Sequence, residues 1–507
     1  MLIVIYFLVY LAFVNAEEYI VSLKGPKSFK KFMDSAIVQE ILDSRPIKKR
    51  IKKTYSFGNF RGIVIDLPSE WLFKIKKSPF VSEVVPNFSF KAFDDELLLN
   101  EIYKSDVLID EHRSRSAPLP PSNITLPHDD DTSIYDGDGI VICKGQNTFG
   151  PPENDDDQLP VVNGKLLSRY VKTQHQAPRH LARLSRRSQL PYDFNDPTRY
   201  DGEFNYYYYG WYQGRSVTVY VLDSGIMTDH CDFEGRATHG ADFVQSGQPG
   251  DENGHGTHVA GVIGSRTFGV AKQVNLVDVK VLDNMGSGTL DTVMSGLEYV
   301  AHNCKKKKKV SKCVINLSLG TFRSNIINEA IEEIVAQGIV VVVAAGNANM
   351  NACWTSPASA PDVVTVGAFD DRIDSIAKFS NWGNCVDIFA PGVLVNSLSN
   401  RYPYTPIAQT GTSMATPSIT GLVALLLDSG TCTATTAKQR LLDLATQNIF
   451  PRRTLMFKPG TPNKVAFNGI KRDDDLYTTH SYPNITIDYI IRDLESYQPA
   501  NRVDKFA

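Results

Sequence analysis

Gly411-Thr412-Ser413-Met414-Ala415-Thr416-Pro417 is the stretch on which the reading of this chain turns. A Gly-Thr turn delivers Ser413, and the apolar run from Met414 to Leu427 that follows reads as a buried helix. The Ser413 hydroxyl is thereby placed at a helix N-terminus, where the macrodipole and free backbone N–H groups favour developing negative charge. Small residues on both sides admit a substrate backbone. A serine is a weak nucleophile unless a neighbouring group removes its proton, so a base and an acid to orient it are needed from elsewhere in the chain.

Both lie upstream. Val217-Thr218-Val219-Tyr220-Val221-Leu222-Asp223 is a β-branched, apolar run that predicts a buried parallel strand. Asp223 falls at its C-terminal end, where sites gather in open α/β sheets. In Asn253-Gly254-His255-Gly256-Thr257-His258-Val259-Ala260-Gly261, glycines flank His255 and a closely packed helix is expected after it. His255 suits the base and Asp223 the group that holds its tautomer. His258 reads as a structural histidine behind the site. Val340-Val341-Val342-Val343 predicts another strand, and Asn347 follows it in Ala344-Ala345-Gly346-Asn347. Its amide can donate to an oxyanion, with the Ser413 backbone N–H as second donor.

Taken together, these segments resemble the subtilisin-like serine proteases, specifically the proteinase K branch, over roughly Gln176 to Asn468. Non-catalytic pieces carry the resemblance too: Asp232-Phe233-Glu234-Gly235-Arg236-Ala237, Asn316-Leu317-Ser318-Leu319-Gly320, Ser356-Pro357-Ala358-Ser359 and Gly460-Thr461-Pro462-Asn463. The resemblance implies a three-layer α/β/α catalytic domain with a mainly parallel sheet, preceded by a small α+β propeptide domain. It implies serine endopeptidase activity through an acyl-enzyme on Ser413. It assigns the substrate edges to Gly286-Ser287-Gly288 and Ser318-Leu319-Gly320, and a pocket wall to Ala344-Ala345-Gly346. The small pocket residues point to broad specificity with an apolar or aromatic preference. It also implies a structural calcium held by the carbonyls of Pro361 and Val363 and the Asp387 carboxylate. The family histidine after Thr-Pro is replaced by Ser418, and the cysteine many relatives carry near the site is replaced by Val259. A binding or surface protein on a silent protease scaffold is the alternative from another class.

Around that core, the 507 residues divide by texture. Met1 to Ala16 is apolar and ends in Val14-Asn15-Ala16, a signal peptide pattern with a retained anchor as alternative. Secretion or display at the cell surface follows. Residues 17–93 read as the inhibitory propeptide domain: strands at Tyr19–Leu23, Gly62–Asp66 and Val81–Asn87, helices at Phe29–Leu42 and Trp71–Ile75. Residues 94–175 are an acidic, proline-containing linker or insert. Residues 176–470 form the catalytic domain, and residues 471–507 a charged tail. The propeptide would act as an intramolecular inhibitor of a monomeric enzyme whose partners are protein or peptide substrates. The net charge of −3 gives no global pointer to nucleic acid.

Seven cysteines in a secreted chain suggest disulfides. The family resemblance pairs Cys353 with Cys385. Cys231, Cys304, Cys313 and Cys432 allow three pairings, and Cys143 is left as the odd thiol. Sequons at Asn87, Asn123 and Asn484 are glycosylation candidates. Asn316-Leu317-Ser318 matches the pattern too but reads as buried strand.

Overall fold

A computed structural model describes residues 18–35, 51–67, 69–92, 161–162, 165–166, 171–200, 202–244, 250–306, 312–401 and 405–470. The expected signal peptide, most of the expected insert and the C-terminal tail lie outside the described residues.

The N-terminal domain contains β1 (Glu18–Leu23), α1 (Ser28–Met33), β2 (Ile51–Phe57), β3 (Phe60–Asp66), α2 (Ser69–Lys76), β4 (Val81–Pro86) and β5 (Ser89–Ala92). Its antiparallel sheet runs β2-β3-β1-β4. Alternation along each strand sorts side chains between two faces. Tyr19, Val21 and Leu23 of β1 pack with Ile63 and Ile65 against Phe32 and Ile75 of the two helices. Ile20, Tyr55, Phe57 and Val64 point the other way, into the catalytic domain. Three of the expected strands and both helices are present, although the described part of the first helix ends at Met33. Strand β2 was not anticipated, because its lysines obscure the alternation that buries Tyr55 and Phe57.

In the catalytic domain the strands are β6 (Val217–Asp223), β7 (Ala237–Asp242), β8 (Asn275–Lys280), β9 (Ser287–Thr289), β10 (Lys312–Leu317), β11 (Leu319–Phe322), β12 (Val340–Ala344), β13 (Val364–Asp370) and β14 (Ile388–Pro391). The principal helices are α3 (His255–Gly264), α4 (Leu290–Lys306), α5 (Asn325–Val335), α6 (Thr412–Asp428) and α7 (Ala437–Leu444). The central sheet runs β7-β8-β6-β10-β12-β13-β14, and every neighbouring pair is parallel. Val217, Val219 and Val221 of β6 face α3 and α6. Tyr220 and Leu222 face α4 and α5. A strand buried on both faces has to be largely apolar, and β6 is, apart from Thr218 and the terminal Asp223. This is the expected three-layer α/β architecture behind a small α+β domain.

The folded region begins earlier than the sequence suggested. Val171–Gln174, placed with the insert, forms a strand paired antiparallel with Tyr206–Tyr209. The basic pair Arg186-Arg187 belongs to the fold: the Arg187 guanidinium lies 4.1 Å from the Phe467 ring centre and donates to the Leu444 carbonyl.

Disulfides join Cys304 to Cys313 and Cys353 to Cys385. Cys231 is disulfide-bonded as well. Among the described residues Cys432 is the free thiol; Cys143 lies outside them. Cys432 is half-buried on the α6–α7 cluster, and burial pushes its pKa up to about 11. Among the described residues no helix is long and apolar enough to cross a membrane.

The two domains meet on α4 and α5. Their carboxylates accept from the N-terminal domain: Glu298 from the Ser56 N–H at 2.8 Å, Glu333 from the Asn59 N–H at 2.8 Å, Glu329 from the Ser22 hydroxyl at 3.1 Å. Asn87 sits in this seam, its Oδ1 accepting from the Asp291 N–H at 2.9 Å at the start of α4. Asn123 and Asn484 lie outside the described residues.

Candidate active site

Asp223 ends β6 and His255 opens α3, so both stand at the C-terminal edge of the sheet. His255 Nδ1 lies 2.7 Å from Asp223 Oδ1, with both side chains fully buried. Such a bond fixes the imidazole so that Nε2 is the nitrogen available to take a proton. The Ser224 N–H donates to the same Asp223 oxygen at 2.8 Å.

Ser413 occupies the second position of α6, buried beneath the cleft. Its Oγ donates to the Ser318 carbonyl at 2.9 Å, and Ser318 Oγ donates back to the Ser413 carbonyl at 3.0 Å. The second bond has a local cause. Pro417 stands four residues after Ser413 and has no N–H to give it. Ser318 fills that vacancy from a neighbouring element. Behind it Asn316 Nδ2 donates to Ser318 Oγ at 3.0 Å, and the Thr420 hydroxyl donates to Asn316 Oδ1 at 2.7 Å.

Asn347 follows β12 at the same edge. Its Oδ1 accepts from the Thr412 N–H at 2.9 Å and the Thr412 hydroxyl at 2.8 Å. With the carbonyl end held by Thr412, the amide nitrogen is the end that can donate to an oxyanion. Ala344, Ala345 and Gly346 lead into it. Gly346 has φ 103°, and its N–H donates to the Thr412 hydroxyl at 3.2 Å. Asn381 Nδ2 braces the Ala345 carbonyl at 2.8 Å.

The two proposed substrate edges face each other with a strand between them. Strand β5 pairs antiparallel with β9 (Ser287 to Lys91, Gly288 to Phe90) and with β11 (Leu319 to Ala92, Gly320 to Lys91). The Ala92 N–H donates to the Gly286 carbonyl at 2.9 Å. Phe90 is fully buried, packed with Leu282, Leu290 and Val293. A Cβ on Gly288 would come within 2.2 Å of the Val281 carbonyl oxygen, so that edge needs glycine. Nothing in the local pattern of Ser89–Ala92 marks a strand.

His258 is the structural histidine expected: its Nε2 lies 2.9 Å from the Val395 carbonyl, and burial drives its pKa down to about 3. Sequence reasoning missed Asp251. Its Oδ1 accepts from the Ser224 hydroxyl at 2.8 Å, the Asn253 N–H at 3.1 Å and the Gly254 N–H at 2.8 Å. Its Oδ2 accepts from the Thr257 N–H at 2.8 Å and hydroxyl at 2.7 Å. Ser224 Oγ in turn accepts from the Gly256 N–H at 3.0 Å, and Asn253 Oδ1 from the His255 N–H at 3.1 Å. The first-turn donors of α3 are therefore met by three side chains, and Asp251 ties them to the turn carrying Asp223. An acidic residue just before a helix start was the available signal.

The residues expected to hold calcium do not fit the ion as they stand. At Val363 and Asp387 the Lys438 ammonium already stands. It donates to the Val363 carbonyl at 2.7 Å and lies 2.8 Å from Asp387 Oδ1. Pro361 is exposed at the surface. Calcium asks for six to eight oxygens at about 2.3–2.6 Å. A lysine nitrogen bonded to two of the three expected ligands does not fit that demand. Among the described residues no cluster of three histidine, cysteine or acidic side chains suits a metal.

A buried carboxylate, imidazole and serine at the C-terminal edge of a parallel sheet, beside a cleft that takes an extended strand, fit the class of three-layer α/β serine hydrolases that act on extended peptides. The chain belongs to the subtilase family, whose model matches residues 214–467. It is 43% identical to the subtilase-type proteinase RRT12 of Saccharomyces cerevisiae, over 95% of this chain and 88% of that one. It is 41% identical to the cuticle-degrading protease of Metarhizium anisopliae, over 59% of this chain and 72% of that one. A solved cold-adapted subtilisin-like serine proteinase matches with TM-score 0.50 and 39% identity, covering 58% of this chain and 98% of that chain. Serine endopeptidase chemistry comes with the family.

Proposed function

We propose that this protein is a secreted serine endopeptidase made as an autoprocessed zymogen, with Asp223, His255 and Ser413 as its triad. The observation that carries the reading is the 2.7 Å Asp223–His255 bond beside a cleft whose two edges, β9 and β11, hold β5 as they would hold a substrate. His255 takes the Ser413 proton as Oγ attacks the scissile carbonyl and returns it to the leaving amine. Asp223 stabilises the imidazolium. The Asn347 amide and the Ser413 N–H receive the oxyanion. Water activated by His255 then releases the acyl group.

The N-terminal domain, residues 17–93, acts as intramolecular inhibitor until it is removed, leaving a monomeric enzyme. The buried Phe90 and the small Ala344–Gly346 segment favour peptides with apolar or aromatic residues on the acyl side. Residues 1–16 direct the chain out of the cell.

Expressing the full chain with and without Ser413→Ala tests the reading. The wild type processes itself and cleaves casein, and N-terminal sequencing finds the new terminus beyond β5. The variant does neither. Equal behaviour of the two would favour a silent scaffold.

A further inference from the structure

We propose that Lys438 takes the place of a structural cation in this chain, so that the region around Val363 and Asp387 is stable without calcium. The proposal goes beyond the catalytic reading and does not depend on it. Three elements meet at this point. Val363 immediately precedes β13, Asp387 precedes β14, and Lys438 lies in the first turn of α7. Asp387 is anchored by both ends: its N–H donates to the Thr365 carbonyl at 2.9 Å, and its Oδ2 accepts from the Thr365 N–H at 2.9 Å. That leaves Oδ1 directed at the Lys438 ammonium, 2.8 Å away. The same ammonium reaches the Val363 carbonyl at 2.7 Å.

A carbonyl and a carboxylate oxygen held to one point by adjacent strand ends form an electronegative cradle. Something positive has to neutralise it, since a buried carboxylate without a partner is costly. A divalent ion bound to Val363 O and Asp387 Oδ1 would have to occupy the space of Nζ or lie against its charge. The lysine donates hydrogen bonds to both acceptors, and its charge is supplied by the chain itself. It also ties α7 to β13 and β14, which a small ion alone would not do. The Asp387 and Lys438 side chains are 18% and 34% exposed, so the pair is screened only in part.

Thermal unfolding of the full chain tests this, with Ser413→Ala present throughout so that self-digestion does not contribute. The Lys438-containing protein is expected to melt at the same temperature in excess calcium chloride and in EDTA. Lys438→Met is expected to melt lower in EDTA by about 3–8 °C, and to recover part of that loss in calcium as the ion enters the vacated cradle. Lys438→Arg retains a charge there and should stay insensitive to calcium. A calcium-induced rise in the Lys438 protein that Asp387→Asn abolishes would overturn the proposal. So would an unchanged melting temperature for Lys438→Met in EDTA.

Discussion

Replacing Asp251 with alanine removes five hydrogen-bond acceptances at one stroke, and three of the donors are backbone N–H groups around the start of α3. Bonds to a charged acceptor are each worth about 1.5–3 kcal/mol and do not add fully, so a loss on the order of 3–5 kcal/mol is expected locally. Neither oxygen of Asp251 touches the reacting groups. The effect on rate comes through position: the bond path from the Ser224 turn to the His255 helix is cut, and Asp223 and His255 lose their common brace. Misplacement approaching an ångström costs up to about 10²-fold. The expected loss in kcat is therefore about 10- to 100-fold, with KM nearly constant because β9 and β11 are untouched. The assay is hydrolysis of a chromogenic peptide, with active sites counted by a serine-directed sulfonyl or phosphonyl reagent. Asp251→Asn keeps one accepting oxygen and should recover part of the rate, while its amide opposes the Thr257 N–H. If kcat per titrated site in Asp251→Ala stays within about twofold of wild type, the brace contributes stability alone and the reasoning fails. Running Ser413→Ala alongside separates that outcome from a failure of the triad assignment.

Other expectations follow from the same geometry. Asn347→Ala should lower kcat about 10²- to 10³-fold with little change in KM, read by steady-state kinetics. Burial pushes the Asp278 carboxyl up to about 6 against the pull of His239. The folded state then binds that proton more tightly than the unfolded chain, so this group favours folding more as pH falls from 6 towards 4. The stability gap between wild type and Asp278→Asn should narrow in that window by on the order of 1–2 kcal/mol, read by denaturant melts at each pH. Cys432, with its thiol raised to about 11, should react with iodoacetamide at pH 8 far more slowly than a free cysteine does, and faster once the protein is unfolded.

The sequence was most informative where chemistry is packed into short neighbouring runs. Asp223 ends a strand that is apolar at almost every position, and Ser413 opens a helix buried along most of its length, so both element and residue could be read together. The reading weakened wherever a partner far along the chain decides the outcome. Ser89–Ala92 carries one large apolar residue and becomes a strand because β9 and β11 receive it. The lysines of Ile51–Phe57 conceal an alternation that matters only once α4 and α5 are placed opposite. The Lys438 ammonium that meets Asp387 comes from α7, far along the chain, and no local pattern around Asp387 announces it. Asp251 drew no notice in the sequence, since the contact that links it to the Asp223 turn, the Ser224 hydroxyl, lies 27 residues away.

The reciprocal bonds between Ser318 and Ser413 have a mechanical consequence. In the proposed mechanism Ser318 belongs to the edge that grips the substrate backbone, and Ser413 is the residue that attacks it. Pro417 opened a gap in the helix ladder, and the gripping edge closed it. The jaw and the blade are therefore one rigid part: a peptide that seats well along β11 sets the height of the attacking oxygen in the same movement, and any change that loosens the jaw blunts the blade.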